Sequence, residues 1–248
     1  MTKILDDDWK NWIKTNLDNG VYKTNIIEIL KKNDYSDKTI SDYFNTKFYE
    51  LDNYNVSKVC SNKVELFTID NFLSNQECSE LILIGETKLY DSKTTIQSNH
   101  TAYRTSSTCD IGLIDNELIR TINKKICDFM QINNSFSEPM QLQKYLVGQE
   151  FKRHTDYFKM NFDYEENAKL QGNRTWTFMI YLNTVEEGGE TQFFNINRCF
   201  KPQIGQVIFW NNLNLDGTGN LDTLHAGLPI IKGEKYIITK WFREKSNS

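Results

Sequence analysis

The sequence predicts a mainly β chain with flanking helices, an α+β arrangement in which a β-sandwich or jelly roll carries helices on one face and follows a small helical module. Three observations predict it. After Pro139 the chain is a succession of short runs rich in apolar, β-branched and aromatic residues, with turn residues such as Gly188-Gly189 and Gly233 between several of them. Two helical patterns stand just before those runs. The first 58 or so residues show helical spacing and no strand alternation.

In chain order, Trp9, Trp12 and Ile13 fall at helical spacing, Ile26, Ile27 and Leu30 repeat it, and a third helix is expected from Ser36, with Ile40, Tyr43 and Phe44 on one face. Residues 1–58 hold no titratable cluster suited to catalysis and read as an accessory helical module, a possible surface for a protein partner. From Val64 to Ile69 the pattern is strand-like. Ser74-Asn75-Gln76-Glu77 then has the form of a capping box opening a helix that carries Cys78, Leu81 and Ile82. A second helix is expected over Asn116–Met130, with Leu118, Ile119, Ile122, Ile126 and Phe129 as its apolar stripe. Between them, "TAYRTSSTCDIG" reads as a strand. The later strands are expected over Met140–Val147, Trp176–Leu182, Gln192–Phe194, Gln206–Trp210 and Tyr236–Phe242. The polar connector from Lys159 to Asn173 lacks a clean period and sits where a mobile lid would be useful. The division is thus 1–58 as the helical module and 59–248 as the main domain, its β core over about 138–245.

With 39% hydrophobic and 25% charged residues in 248, the chain can bury one substantial core. A net charge of -4, with lysines interspersed among acids, argues against a nucleic-acid partner. No apolar run reaches membrane-spanning length and "MTKILDDDWK" has no apolar signal core, so a soluble intracellular protein without a membrane partner is expected. Five Cys, an odd number without a C-x-x-C pair, argue against a zinc site or a disulfide framework and for reduced thiols, several in the core.

The chemistry concentrates in His154-Thr155-Asp156, His225 and Lys235. Two imidazoles and a carboxylate are the ligand set of a mononuclear non-haem Fe(II) oxygenase site, which occupies one face of the metal and leaves the others open. In "EFKRHTDYF" a strand would turn residues i and i+2 to one side, so His154 and Asp156 could reach one ion. His225 follows the loop-like "NLDGTGNLD" and precedes Pro229, so a chain turn could return it to that pair. An ammonium at Lys235 pointing into a barrel is costly unless it meets an anion, which suits an organic acid. His100, in "QSNHTAY", reads as a loop residue.

From about Val64 to Glu244 the chain resembles the prolyl 4-hydroxylases, dioxygenases dependent on Fe(II) and 2-oxoglutarate. Beyond the residues above, the resemblance rests on "RTSS" at Arg104, "QKYLVGQEFKRHTDYF", "RTWTFMIYLNTVEEGGETQF", "PQIGQVIFW" and "HAGLPIIKGEKYIITKWF", in that order. It implies a double-stranded β-helix, a distorted jelly roll, with iron on His154, Asp156 and His225. It further implies that Lys235 pairs with the distal carboxylate of 2-oxoglutarate, helped by the hydroxyls of Tyr145 and Thr177. Arg104, Ser106, Glu138 and Trp241 fall where the family contacts its peptide. The implied reaction consumes O2 and 2-oxoglutarate, with ascorbate as a further cofactor, releases succinate and CO2, and hydroxylates C4 of a prolyl residue in a collagen-like or other proline-rich peptide. The rival expectations are hydroxylation of another protein residue, lysyl or asparaginyl, and a catalytically silent β-helix used for binding. A zinc hydrolase on the same ligands would lack a general base and leave Lys235 unexplained.

Overall fold

A computed structural model of the chain describes residues 3–18, 23–49, 54–59, 63–92, 104–159 and 168–247. The expected connector's residues 160–167, together with His100 and Cys60, lie outside them. Three helices come first, α1 (Asp7–Asp18), α2 (Lys23–Lys32) and α3 (Asp37–Tyr49). They form because Ile13, Ile26, Ile27, Leu30 and Ile40 recur at helical spacing and bury against one another, with Leu5 and Tyr35. Ser36 Oγ accepts from Thr39 N at 3.1 Å and so starts α3 where the sequence suggested. Asp34, at φ 63°, turns the chain out of α2. Among the described residues of the later chain, Leu215 packs on this cluster, and Ser41 Oγ donates to Glu65 Oε1 at 2.8 Å.

The rest of the chain supplies β1 (Val56–Lys58), β2 (Leu66–Ile69), α4 (Asn75–Glu86), β3 (Tyr90–Asp91), β4 (Ser107–Cys109), α5 (Glu117–Met130), β5 (Gln141–Tyr145), β6 (Phe151–His154), β7 (Arg174–Tyr181), β8 (Glu187–Gly188), β9 (Thr191–Phe193), β10 (Arg198–Phe200), β11 (Val207–Asn211), β12 (His225–Gly227), β13 (Ile230–Lys232) and β14 (Lys235–Arg243). One sheet has the order β1-β2-β11-β7-β14-β5-β4-β3, a second β10-β9-β12-β6, and β13 pairs with β8. The arrangement is mainly β with helices, as the sequence predicts.

Strand alternation assigns the two faces of the larger sheet. Trp176, Phe178 and Ile180 of β7, Val207 and Phe209 of β11, and Ile238 and Phe242 of β14 pack under α4 and α5, against Leu81, Ile122, Ile126 and Phe129. Their alternate neighbours, Met179, Tyr181, Ile208, Trp210 and Ile237, face the smaller sheet and meet Phe193 of β9. Both faces are therefore buried, which is why all nine residues of β14 are buried. The capping box of α4 closes as expected: Ser74 Oγ accepts from Glu77 N and Glu77 Oε2 accepts from Ser74 N at 2.7 Å. Asn116 caps α5 through Leu118 N and Ile119 N. Cys78, Cys109 and Cys127 are buried free thiols and Cys199 is an exposed one. No helix among the described residues is long and apolar enough to cross a membrane.

Candidate metal centre

His154 ends β6 and His225 begins β12, and the antiparallel pairing of these strands sets the two residues directly opposite each other. Their rings lie 4.2 Å apart between centroids. Asp156 follows just past the end of β6, with its Oδ1 3.6 Å from His154 Nε2. One ligand atom from each of the three residues lies within 4.8 Å of the others. Among the described residues no other such trio of His, Cys, Asp or Glu occurs. The sequence-expected ligands are thus brought together.

The donor set fits a divalent first-row cation. Nδ1 of His154 lies 2.8 Å from the carbonyl oxygen of Lys152, and Nδ1 of His225 lies 2.9 Å from that of Thr223. A carbonyl only accepts, so each Nδ1 carries the hydrogen and each Nε2 is left with a lone pair for a metal. Burial, and the neighbouring His225, hold the His154 pKa well below its ordinary value. Burial works to raise the Asp156 pKa, but His225 and His154, then Arg174 and the Thr177 hydroxyl, outweigh it and hold the acid below its usual value. The trio offers two imidazole nitrogens and one anionic oxygen.

Aromatic rings fix the imidazoles in place. Phe151 stacks on His154 with centroids 3.6 Å apart, Phe193 lies nearly parallel to His225 at 5.2 Å, and Trp210 meets His225 edge-on at 4.9 Å. Behind Asp156, Thr177 Oγ1 donates to its Oδ2 at 2.7 Å, and Asn212 Nδ2 donates to Thr177 Oγ1 at 2.8 Å. The hydroxyl hydrogen expected to serve the co-substrate's carboxylate is therefore committed to Asp156.

Lys235, 1% exposed, begins β14 and faces the same cavity. Its Nζ donates to the carbonyl oxygen of Gly189 at 2.8 Å and lies 4.5 Å from the centre of the Tyr145 ring. Gly189 adopts φ +73° and a Cβ there would come within 2.5 Å of Ile230 Cδ1, so the turn presenting this carbonyl requires glycine. An ammonium has three hydrogens to place. Lys240, equally buried on the opposite face, places its own on Asn123 Oδ1, Asn134 Oδ1 and the carbonyl of Glu138. Among the described residues Lys235 has one such acceptor, which leaves it able to receive an anion. The Tyr145 hydroxyl donates to Gln143 Oε1 at 3.0 Å, while its ring forms the cavity wall beside Lys235.

The four residues expected at the peptide are less uniform. Glu138 Oε1 accepts from Arg174 Nε and Arg243 at 2.7 Å each, and its Oε2 accepts from Arg174 at 2.6 Å. Two guanidiniums hold that carboxylate, which thereby braces the site. Ser106 is 3% exposed and accepts from Arg104 Nε at 2.8 Å, which likewise withdraws it from a surface contact. Arg104 also donates to Thr108 and lies over the Phe151 ring at 5.1 Å, the ring that stacks on His154. Trp241 lines the cavity, under Arg174 at 3.9 Å, and among the described residues its buried Nε1 has no hydrogen-bond partner.

Sequence reasoning missed Asn212, Trp210, Arg174 and Gly189. Asn211-Asn212 reads as the polar end of a strand, and only the pairing of β11 with β7, which sets Trp210 opposite Thr177, brings it behind the metal site. Arg174 had a legible signal, a cation at the head of a long apolar strand.

Residues 140–243 match the model of the 2OG-Fe(II) oxygenase superfamily. "Probable prolyl 4-hydroxylase 3" of Arabidopsis thaliana is 32% identical over 208 residues, 75% of this chain and 71% of that protein. "Prolyl 4-hydroxylase subunit alpha-2" of Gallus gallus is 28% identical, over 71% of this chain and 33% of that longer protein. Among solved structures, the viral collagen prolyl hydroxylase of Paramecium Bursaria Chlorella virus-1, in its 2OG complex, superposes with a TM-score of 0.56 at 29% identity, covering 72% of this chain and 95% of that one. A trio of metal donors on two paired strands and a relative of this identity and extent agree: the chain belongs to the prolyl 4-hydroxylase family.

Proposed function

We propose that the chain uses Fe(II), 2-oxoglutarate and O2 to hydroxylate C4 of a prolyl residue in a proline-rich or collagen-like peptide. The observation that carries this reading is the convergence of His154, Asp156 and His225 in one cavity with Lys235, an ammonium that has hydrogens to spare for a carboxylate. His154, Asp156 and His225 would hold the iron. Three protein ligands leave room for a two-oxygen chelate and for O2. The metal, when bound, would supply the oxygen activation that no side chain provides; one atom of O2 would enter succinate as 2-oxoglutarate loses CO2, and the other would be inserted into the prolyl C4–H bond. Lys235 would anchor the far carboxylate of 2-oxoglutarate in a low-dielectric wall, where a point charge holds it more firmly than in water. Phe151 and Trp241 offer apolar faces at the cavity, and the unpartnered Trp241 Nε1 offers a donor, a combination suited to a prolyl ring and its neighbouring carbonyl.

The strand order supports reading the two sheets as a double-stranded β-helix: counting β5, β6, β7, β9, β10, β11, β12 and β14 as eight successive strands, the first, eighth, third and sixth are neighbours in one sheet and the second, seventh, fourth and fifth in the other. The separate core of α1–α3 supports a division into a helical module and an oxygenase domain.

The test is incubation with Fe(II), 2-oxoglutarate, ascorbate and a set of proline-rich peptides, with succinate quantified and the peptides sequenced by mass spectrometry. Expected is one added oxygen on proline, stoichiometric succinate, and loss of both in Asp156→Ala with the fold intact. Oxygen on lysine or asparagine in comparison peptides would redirect the assignment, and no succinate under any condition would leave a binding module.

A further inference from the structure

We infer that Asn212 is a positioning residue that, through Thr177, makes Asp156 offer the metal a single oxygen; the inference rests on the proposed iron site. Thr177, at the centre of β7, and Asn212, just past β11, are both fully buried. A threonine hydroxyl has one hydrogen, so its direction depends on its neighbours. The indole N–H of Trp210 donates to Asn212 Oδ1 at 2.8 Å. An indole nitrogen only donates, so the amide oxygen must face Trp210 and the amide NH2 must face Thr177. With Asn212 Nδ2 donating into Thr177 Oγ1, the hydroxyl hydrogen is left to Asp156 Oδ2, 2.7 Å away. The relay thus has a direction, set at Trp210 and delivered at Asp156.

Its backbone frame is rigid. Asn212 N donates to the carbonyl of Thr175 at 2.8 Å, and Asn212 O accepts from Asn220 N at 2.9 Å. Oδ2 is engaged by Thr177, and Oδ1 is the oxygen that lies 3.6 Å from His154 Nε2. A carboxylate held in this way presents Oδ1 beside the two imidazoles and keeps Oδ2 from swinging in as a second ligand. The position a two-oxygen carboxylate would fill stays open for the co-substrate. Trp210 also packs its edge on His225, so one indole aligns two of the three ligands.

The test is calorimetric titration of the full chain with Co(II) alone, then of the Co(II)-loaded chain with 2-oxoglutarate. Thr177→Val keeps the shape and removes the hydroxyl; loss of an outer-shell partner of this kind lowers metal affinity about 10- to 100-fold. It should also weaken 2-oxoglutarate on the loaded chain and alter the visible Co(II) spectrum. Thr177→Ser keeps the hydroxyl and should retain both affinities. Asn212→Asp substitutes an acceptor for the amide NH2, draws the hydroxyl hydrogen away from Asp156, and should match Thr177→Val. Co(II) and 2-oxoglutarate affinities equal to those of the unaltered chain, in folded Thr177→Val or in folded Asn212→Asp, would overturn the relay. Should Asn212→Asp fail to fold, Asn212→Ala, which removes the directing amide, decides in its place by the same readouts. Asp156→Ala separates the two levels: if it loses Co(II) while Thr177→Val does not, only the relay fails, and if it binds Co(II) undiminished, the iron site itself fails.

Discussion

Lys235 and Lys240 show how a buried charge reveals its purpose through its partners. Burial alone lowers both, Lys235 to about 7 against a partial counter-effect of Glu190, and Lys240 to about 8. Because the folded value of Lys235 lies below its unfolded one, the folded chain binds fewer protons between about pH 7 and 10.5. Its burial therefore costs stability in full below pH 7, and that cost fades as pH rises through this window. A carboxylate beside Lys235 restores the ammonium. Binding of 2-oxoglutarate at pH 8 should accordingly take up a proton, and affinity should fall between pH 7 and 9 by up to about tenfold per unit. Calorimetry in two buffers of different ionisation enthalpy measures the proton, and Lys235→Met should bind weakly with a flat pH profile. A flat profile in the unaltered chain would remove Lys235 from the anion site. At this scale the trio His154, Asp156 and His225, and Lys235 after it, were legible, because a His-x-Asp pair, a second His and a downstream Lys form a recognisable order. Glu138, expected at the peptide, was not legible as a brace, since its two arginines come from positions 36 and 105 residues away.

Between elements, the Arg174–Glu138–Arg243 cluster ties the start of β7 and the end of β14 to the segment leading into β5. Burial opposes ionisation of Glu138, but Arg174 and Arg243 outweigh it and hold its pKa below the usual value. Its contribution is present above the unfolded carboxylate range and is lost as pH falls through the lower folded value. Removing one member leaves uncompensated charge, so Glu138→Gln should cost about 3 kcal/mol, read as a lower urea midpoint at unchanged slope. An unshifted midpoint would show the cluster to be idle. Long elements were legible within a residue or two at most ends. α4, α5, β7 and β14 carry enough residues to display a period. β8, β10, β12 and β13 have two or three residues each, too few for any alternation, and form by pairing with other short strands: β8 with β13, β10 with β9, and β12 with β9 and β6.

For the whole molecule, the α1–α3 cluster is separate from the two clusters of the β region; Leu215 is the described hydrophobic residue of that region packed on it, and Ser41 is hydrogen-bonded to Glu65. Unfolding in urea should proceed in two steps. Leu30→Ala, at a fully buried position, should cost about 2–5 kcal/mol in the helical step alone and leave Co(II) affinity unchanged. Hydrogen exchange resolved by segment checks this, and a single transition with weakened metal binding would contradict it. The sequence by itself determined the class of fold, the places of the long elements and the candidate donors His154, Asp156 and His225, because periodicity and side-chain chemistry are local properties. Only the tertiary structure decided what stands behind them: which carbonyls set the imidazole tautomers, which oxygen of Asp156 is free, which buried lysine still lacks partners. Those answers depend on contacts between strands far apart in the chain, and no local pattern encodes a distance across a sheet.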